Sequence, residues 1–263
     1  MNRSQNLGVH VLGIRVGETL AERWLGWLAP DPQPLLVRGP GETDVPPELR
    51  DTFELYSLRA RGLSVRWLTE AAYLSLDPHA RAALVRSQVE LGRGLVPTSG
   101  RRRFFWWPST VTGDALAAFV TGTRSPSRHE EVLWASVEQV LPGARAIAGT
   151  FPEGSGPNCF GAVMAAAGVP GAAEEWMQRE PFEAWLAGAT KPTWSRDPNT
   201  PGVVLVWRYA DGVADHAAVT LGSGWALHKP SQGWMSPTLV LPVSALIRSV
   251  RVRGLRLHRA AIR

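Results

Sequence analysis

Three residues of this chain have the side chains that nucleophilic chemistry on a carbonyl group requires. They are Cys159, the only cysteine, His216, and His228, which follows His216 by twelve positions. A thiol is mostly protonated at neutral pH, so it needs a nearby base, and that base needs a third group to hold its ring. In chain order, the three residues match a nucleophile, a general base and an orienting group.

The surroundings of Cys159 predict that it lies at the start of a helix. A loop rich in Gly, Pro and Ser (154–157) comes before it, and an Ala-rich apolar run follows and stops at Gly168-Val169-Pro170. Unpaired N–H groups and the helix dipole favour an anion there, so we expect a lowered thiol pKa. The alternative is a buried structural cysteine, since its neighbours are apolar.

The residues around the two histidines indicate antiparallel strands. Residues 203–207 form a continuous apolar run, 217–221 form a second, and 225–228 follow a Gly222-Ser223-Gly224 turn. Further strands are expected at 238–241 and 250–257. Because the 217–221 and 225–228 strands form a hairpin, His216 and His228 are expected on the same side of the sheet. Helices before this sheet predict an α+β fold.

This pattern resembles the NlpC/P60 family of cysteine peptidases over about residues 128–245. The resemblance rests on Cys159 with Gly161, on the strand opened by Pro201-Gly202, and on His216 followed by a glycine turn and His228. It implies a papain-like domain in which the Cys-bearing helix packs on an antiparallel sheet. It also implies Cys159 as nucleophile, His216 as general base and acid, His228 as the orienting residue, and no cofactor.

The chain departs from the family around the nucleophile. Asn158 stands where Asp is usual, Phe160 where Ser is usual, and Val203 where Asp usually follows Pro-Gly. The usual Tyr-x-Trp-Gly-Gly segment is replaced by residues 150–156. The trio therefore fits the family better than the substrate-facing residues do. The family's substrates are peptidoglycan stem peptides.

Two other functions are open on the same residues. An acyltransferase or deamidase would use the same Cys–His site with a different acceptor. A non-catalytic, basic and Trp-rich binding module on a decayed peptidase scaffold would need no reactive thiol. His10, His129 and His258 fall outside the pattern, and no His or carboxylate spacing predicts a metal site.

Composition limits the partners. The net charge is +5 with a pI near 10.1, which would suit an anionic partner. The cluster Arg101–Trp107 joins arginines to aromatic rings, but without a surrounding RNA-binding motif a packing role is favoured and nucleic acid is not expected. No signal peptide and no apolar run of about 20 residues is seen, so the default expectation is a cytoplasmic protein without a membrane span.

The first half of the chain is predicted to be a mainly helical region of unknown role. Apolar residues three and four apart predict helices over 48–61, 65–74 and 78–92. The segment 122–128 is the best linker candidate. We therefore expect an N-terminal region over 1–127 and a catalytic domain over 128–263.

Overall fold

A computed structural model describes residues 9–39, 47–56, 63–93, 96–98, 101–103, 105 and 107–263. It is 38% helical and 23% strand with antiparallel sheets, which confirms the α+β class. Contacts divide the chain into two compact units. The first is Met1–Val11 with Arg15–Thr123, and the second is Leu12–Ile14 with Arg124–Arg263. Within the described residues, every helix is too short or too polar to cross a bilayer.

The first part of the chain combines helices with two-stranded sheets. Three of its helices begin at side-chain caps: Thr69 accepts from the Ala72 N–H, Asp77 from the Ala80 N–H and Thr112 from the Ala115 N–H. The elements are β1 (Val9–Val11), β2 (Ile14–Val16), α1 (Glu18–Leu28), β3 (Gln33–Val37), α2 (Pro47–Tyr56), β4 (Ser64–Leu68), α3 (Glu70–Ser75), α4 (Pro78–Glu90), β5 (Val96–Thr98), β6 (Arg101–Arg103) and α5 (Gly113–Thr121).

The helix predicted over 65–74 is wrong in its first half. Residues Ser64–Leu68 form strand β4, which pairs antiparallel with β3, and a short helix starts only at Glu70. Val65 is buried while Arg66 is exposed, which is the two-residue alternation of a strand. Besides its helices, this region therefore contains the two-stranded sheets β1–β2, β3–β4 and β5–β6, and it is less helical than predicted.

The aromatic part of the Arg101–Trp107 cluster packs inside the first unit. Phe105 and Trp107 are buried and stacked with ring centroids 5.6 Å apart, and the Arg93 guanidinium lies 4.7 Å from the Phe105 centroid. These two rings serve as core, as the packing interpretation predicted. Phe104 and Trp106 lie outside the described residues.

The second unit contains a six-stranded antiparallel sheet with helices packed on it. The strand order is β11-β10-β9-β8-β12-β7. The elements are α6 (Trp134–Val137), α7 (Ala144–Ile147), α8 (Cys159–Ala166), α9 (Arg179–Ala189), β7 (Thr190–Pro192), β8 (Pro201–Arg208), β9 (Ala214–Gly222), β10 (Trp225–His228), β11 (Leu239–Pro242), α10 (Val243–Ser249) and β12 (Arg256–Ile262).

Helix α8 forms the centre of this unit. All eight of its residues are buried, and it contacts β9, β10, α7 and α9. A helix that is apolar on every side is stable only when it is covered on every side. The sheet supplies one cover through Val204, Val206 and Val219, and α9 supplies another by stacking Phe182 on Phe160 with centroids 4.4 Å apart. This packing fixes where α8 begins.

Candidate active site

Cys159 is the first residue of α8, as the sequence predicted. Asn158 is the N-cap, and its side chain has two partners: Oδ1 accepts from the Gly161 N–H at 3.1 Å, and Nδ2 donates to the Met177 carbonyl at 2.7 Å. An aspartate could cap the helix but could not donate to that carbonyl. Asn158 therefore satisfies two partners at once, which an aspartate at this position could not.

Three backbone N–H groups lie close enough to the Cys159 sulfur to act against the rise of its pKa. Those of Cys159 and Phe160, at the open end of α8, and that of Ala217, on β9, all face Sγ. Ala217 directly follows His216 in the chain, so the thiol lies against the strand that carries the proposed base. Such N–H groups stabilise negative charge on sulfur or on an oxygen bound next to it.

The two histidines meet as the hairpin predicted. Leu227 pairs with Val219, so the next residue, His228, lies diagonally across from His216 on the same face. The His216 Nε2 is 3.3 Å from the His228 Nδ1, and both rings are buried. One of the two nitrogens therefore donates to the other, and this contact fixes the orientation of the His216 ring.

Strand β9 has an irregularity where it carries His216. Trp207 of β8 pairs with His216, while Arg208 pairs with Ala214, which leaves Asp215 without an opposite residue. A bulge of this kind bends a strand and redirects its side chains, and bulges are frequent beside active sites. Among the residues that the structure describes, the His216 ring forms its hydrogen bond with His228 and none with the Cys159 sulfur.

Burial dominates the electrostatics of the site. It raises the pKa of the Cys159 thiol to about 11, against the smaller lowering effect of the surrounding N–H groups. It also lowers the pKa of His216 to about 4 and that of His228 to about 3. The expectation of a lowered thiol pKa is therefore wrong, because desolvation of the thiolate outweighs the helix N-terminus. At neutral pH the resting site holds a thiol and neutral imidazoles.

Because the fold keeps both histidines neutral, stability should fall in mild acid. In the unfolded chain, both imidazoles bind protons as the pH falls below their usual pKa of 6.5. In the folded protein, His216 binds a proton only near pH 4 and His228 only near pH 3. The contribution of the two neutral histidines to the free energy of unfolding is therefore fully present above pH 6.5 and decreases as the pH falls below 6.5. Between pH 7 and pH 5 we expect a loss of up to about 2 kcal/mol per histidine.

Urea unfolding at the two pH values measures this loss. The double variant His216→Asn/His228→Asn should remove most of the pH dependence, while His258→Asn, at an exposed position of β12, should leave it unchanged. A double variant that loses as much stability as the wild type between pH 7 and pH 5 would contradict the assignment of two buried neutral imidazoles.

The loop that leads into Cys159 is held in place and borders a cavity. The Gly156 N–H donates to the Gln232 carbonyl at 2.9 Å, and the Trp234 N–H donates to the Ser155 hydroxyl at 3.2 Å. The cavity has a volume of about 310 Å³. Its lining includes Pro157, Ala162, Glu153, Glu174 and Lys229. It therefore lies beside the first turn of α8, although Cys159 itself is not part of the lining.

Sequence reasoning gave no role to two charged residues near the trio. Asp215 is exposed and accepts a hydrogen bond from the Tyr209 hydroxyl. Its negative charge partly opposes the lowering of the His216 pKa by burial, and it adds to the raised pKa of Cys159. Lys229 follows His228, is buried, and donates to the carbonyls of Ser231 and Ser236. The signal in the sequence that could have identified them is that Asp215 directly precedes His216 and Lys229 directly follows His228.

Comparisons with protein-family models, with curated proteins and with solved structures found no match to this chain. The local geometry indicates the chemistry of the site: a thiol at a helix start, backbone N–H groups close to it, and a hydrogen-bonded histidine pair on the neighbouring strands β9 and β10.

Proposed function

We propose that this protein is a cysteine hydrolase that cleaves an amide bond, with a papain-like catalytic domain over residues 128–263. One observation carries the proposal. The Cys159 sulfur lies against the N–H of Ala217, directly after His216, and the His216 ring is oriented by its 3.3 Å contact with His228. These contacts support the assignment of Cys159 as nucleophile, His216 as base and His228 as orienting group on neighbouring elements of one unit.

The mechanism follows from the neutral resting state. As Sγ attacks the carbonyl carbon, its proton passes to His216, so that no free thiolate has to form in the buried site. His216 then gives this proton to the leaving amine, and a thioester remains on Cys159. Water, deprotonated by His216, releases the acid and restores the thiol. The N–H groups at the start of α8 stabilise the oxyanion, and His228 holds the His216 ring.

The substrate class proposed here is a peptide of the peptidoglycan type. The cavity beside α8 is lined by Glu153 and Glu174 together with Lys229, so it presents charges of both signs next to apolar walls. A short peptide that carries an amine would find a carboxylate partner in Glu174, which is exposed. Hydrolysis and transfer to another acceptor share the thioester, so the acceptor decides between a hydrolase and an acyltransferase.

A thioester on Cys159 is the direct test of this chemistry. When the protein is mixed with a panel of peptidoglycan stem peptides and quenched in acid, intact-mass spectrometry should find an acyl adduct. The adduct should be absent from Cys159→Ala, which changes one sulfur atom in the buried first turn of α8. Product formation should fall by about 10³-fold or more in that variant. Added hydroxylamine should intercept the thioester as a hydroxamate.

Turnover that is unchanged in Cys159→Ala would exclude the sulfur as nucleophile and overturn the proposal. His258→Ala is the control for loss of a histidine elsewhere on the same sheet, and it should retain full turnover. A product joined to an added amine, in place of free acid, would assign the acyltransferase form of the reaction.

The second candidate is a binding module on a peptidase scaffold that has lost its activity. The specific observations that favour it are the 8% exposure of Cys159, its pKa of about 11, and the lack of a hydrogen bond between its sulfur and His216 among the described residues. A thiol that reacts with small electrophiles only after unfolding would select this candidate.

A further inference from the structure

A second cavity of the same unit lies between α9 and the sheet, where β12 pairs with β7 and β8. Its volume is about 420 Å³, within the range of small-molecule sites. Leu186, Val206 and Ala260 give it apolar walls. It shares no residue with the candidate active site. Its ionisable lining residues are Glu183, Lys191, Arg208, His258, Arg259 and Arg263.

The cationic charges of this cavity exceed its acidic charge. Its one lining carboxylate, Glu183, is held by both terminal nitrogens of Arg208, at 2.5 and 2.8 Å. In the described part of the chain, Lys191 and Arg259 have no carboxylate within ion-pair distance. Asp197, in the loop that follows β7, is already engaged by Asn199 and Thr200. The positive charges of Lys191 and Arg259 are therefore not compensated by a carboxylate.

A neighbouring arginine adds to this excess. Arg196 lies near enough to Arg259 for its charge, together with burial, to lower the pKa of the Arg259 guanidinium, which stays protonated at neutral pH. Arg196 is exposed and lies outside the cavity lining, but its charge still repels that of Arg259, and an anion bound at Arg259 would relieve this repulsion.

The C-terminal end of α9 would oppose an anion, but the carbonyl groups of Leu186 and Ala189 in its last turn have hydrogen-bond donors, and so does the following carbonyl of Thr190. The Thr190 hydroxyl donates to the Leu186 carbonyl at 2.6 Å, the Arg263 N–H donates to the Ala189 carbonyl at 3.0 Å, and the Arg263 Nε donates to the Thr190 carbonyl at 3.1 Å. Thr190 and Arg263 therefore cap the negative end of the helix on the side of the cavity.

We propose that this cavity binds a small molecule through a multiply charged oxyanion group, either a phosphate or a polycarboxylate. The planar donors of Arg259 match two oxygens of such a group, and Lys191 adds a mobile point charge. The apolar walls leave room for the uncharged part of the ligand, to which the oxyanion group is attached. The proposal is independent of the chemistry at Cys159.

Isothermal titration calorimetry of the whole protein tests this site, with pyrophosphate and citrate as probes at constant ionic strength. The wild type should bind at least one of them with 1:1 stoichiometry. Lys191→Gln/Arg259→Gln should weaken that binding at least about tenfold, since each residue contributes a charge-assisted contact. Arg251→Gln/Arg253→Gln, at two exposed positions outside the cavity, removes the same charge and should change binding less than about twofold.

Each outcome has one meaning. Preference for pyrophosphate assigns a phosphate ligand, and preference for citrate assigns a carboxylate. The proposal would be overturned if neither probe gave a saturable heat of binding up to about 10 mM. It would also be overturned if the two double variants lost the same amount of binding affinity. Circular dichroism checks the fold of each variant. If the double variant does not fold, the single change Lys191→Gln, at an exposed side chain, gives the same comparison against Arg253→Gln.

Discussion

Replacing Gly161 with alanine is expected to destabilise the second unit by roughly 2–4 kcal/mol. An added Cβ at this position would lie 2.2 Å from the backbone oxygen of Ala172, a distance that no side-chain carbon tolerates. The contacting atom belongs to the backbone, so relief requires α8 to move away from the 172–175 segment. Gly161 also donates its N–H to the Asn158 cap, so that movement disturbs the helix start that positions Cys159.

Gly188→Ala is the matched control. Gly188 is also a helical glycine of the same unit, in α9, but an added Cβ there meets no atom within 4 Å. That variant should be unchanged or up to about 1 kcal/mol more stable, because alanine loses less backbone entropy in a helix. The measurement is the free energy of unfolding in urea. Equal stability of Gly161→Ala and the wild type would contradict the close packing of α8 described here.

Replacing His216 with alanine is expected to slow the reaction of Cys159 with iodoacetamide at pH 7 by about 10²-fold. The thiol has a pKa of about 11, so its thiolate is scarce at neutral pH and the reaction depends on a base that takes the proton during attack. Asn replacement of His228 should have a smaller effect, since His228 orients the base and does not accept the proton.

His258→Ala is the control for this comparison, as it removes an exposed imidazole from the same sheet. The lone cysteine makes the labelling rate a property of one site. A rate in His216→Ala equal to that in the wild type would mean that the imidazole does not serve the thiol. The binding-module function would then be the better account of the protein.

Much of the site follows from local sequence signals. The Gly- and Pro-rich loop before Cys159 and the apolar run after it predict where α8 begins, and the structure starts the helix at that residue. The Gly222-Ser223-Gly224 turn predicts the hairpin, and β10 has the predicted bounds of 225–228. The contact between His216 and His228 follows from the alternation of side chains along these two strands.

Features that depend on tertiary packing could not be predicted in this way. The raised pKa of Cys159 results from the burial of the whole of α8, which the local signal of a helix N-terminus does not contain. The irregular pairing at Asp215 depends on the register between β8 and β9. The sequence predicts a helix where strand β4 lies because the apolar residues Val65, Trp67 and Leu68 fit both periods, and the pairing with β3 decides between them.

The measurement that tests the central claim most directly is the pH profile of Cys159 alkylation in the wild type and in His216→Ala. If His216 takes the thiol proton, the wild-type rate should be flat between about pH 5 and pH 9, above the His216 pKa of about 4 and below the thiol pKa of about 11. In His216→Ala the rate should rise about tenfold per pH unit over the same range, since only thiolate reacts. Two coincident profiles that both rise with pH would contradict the account.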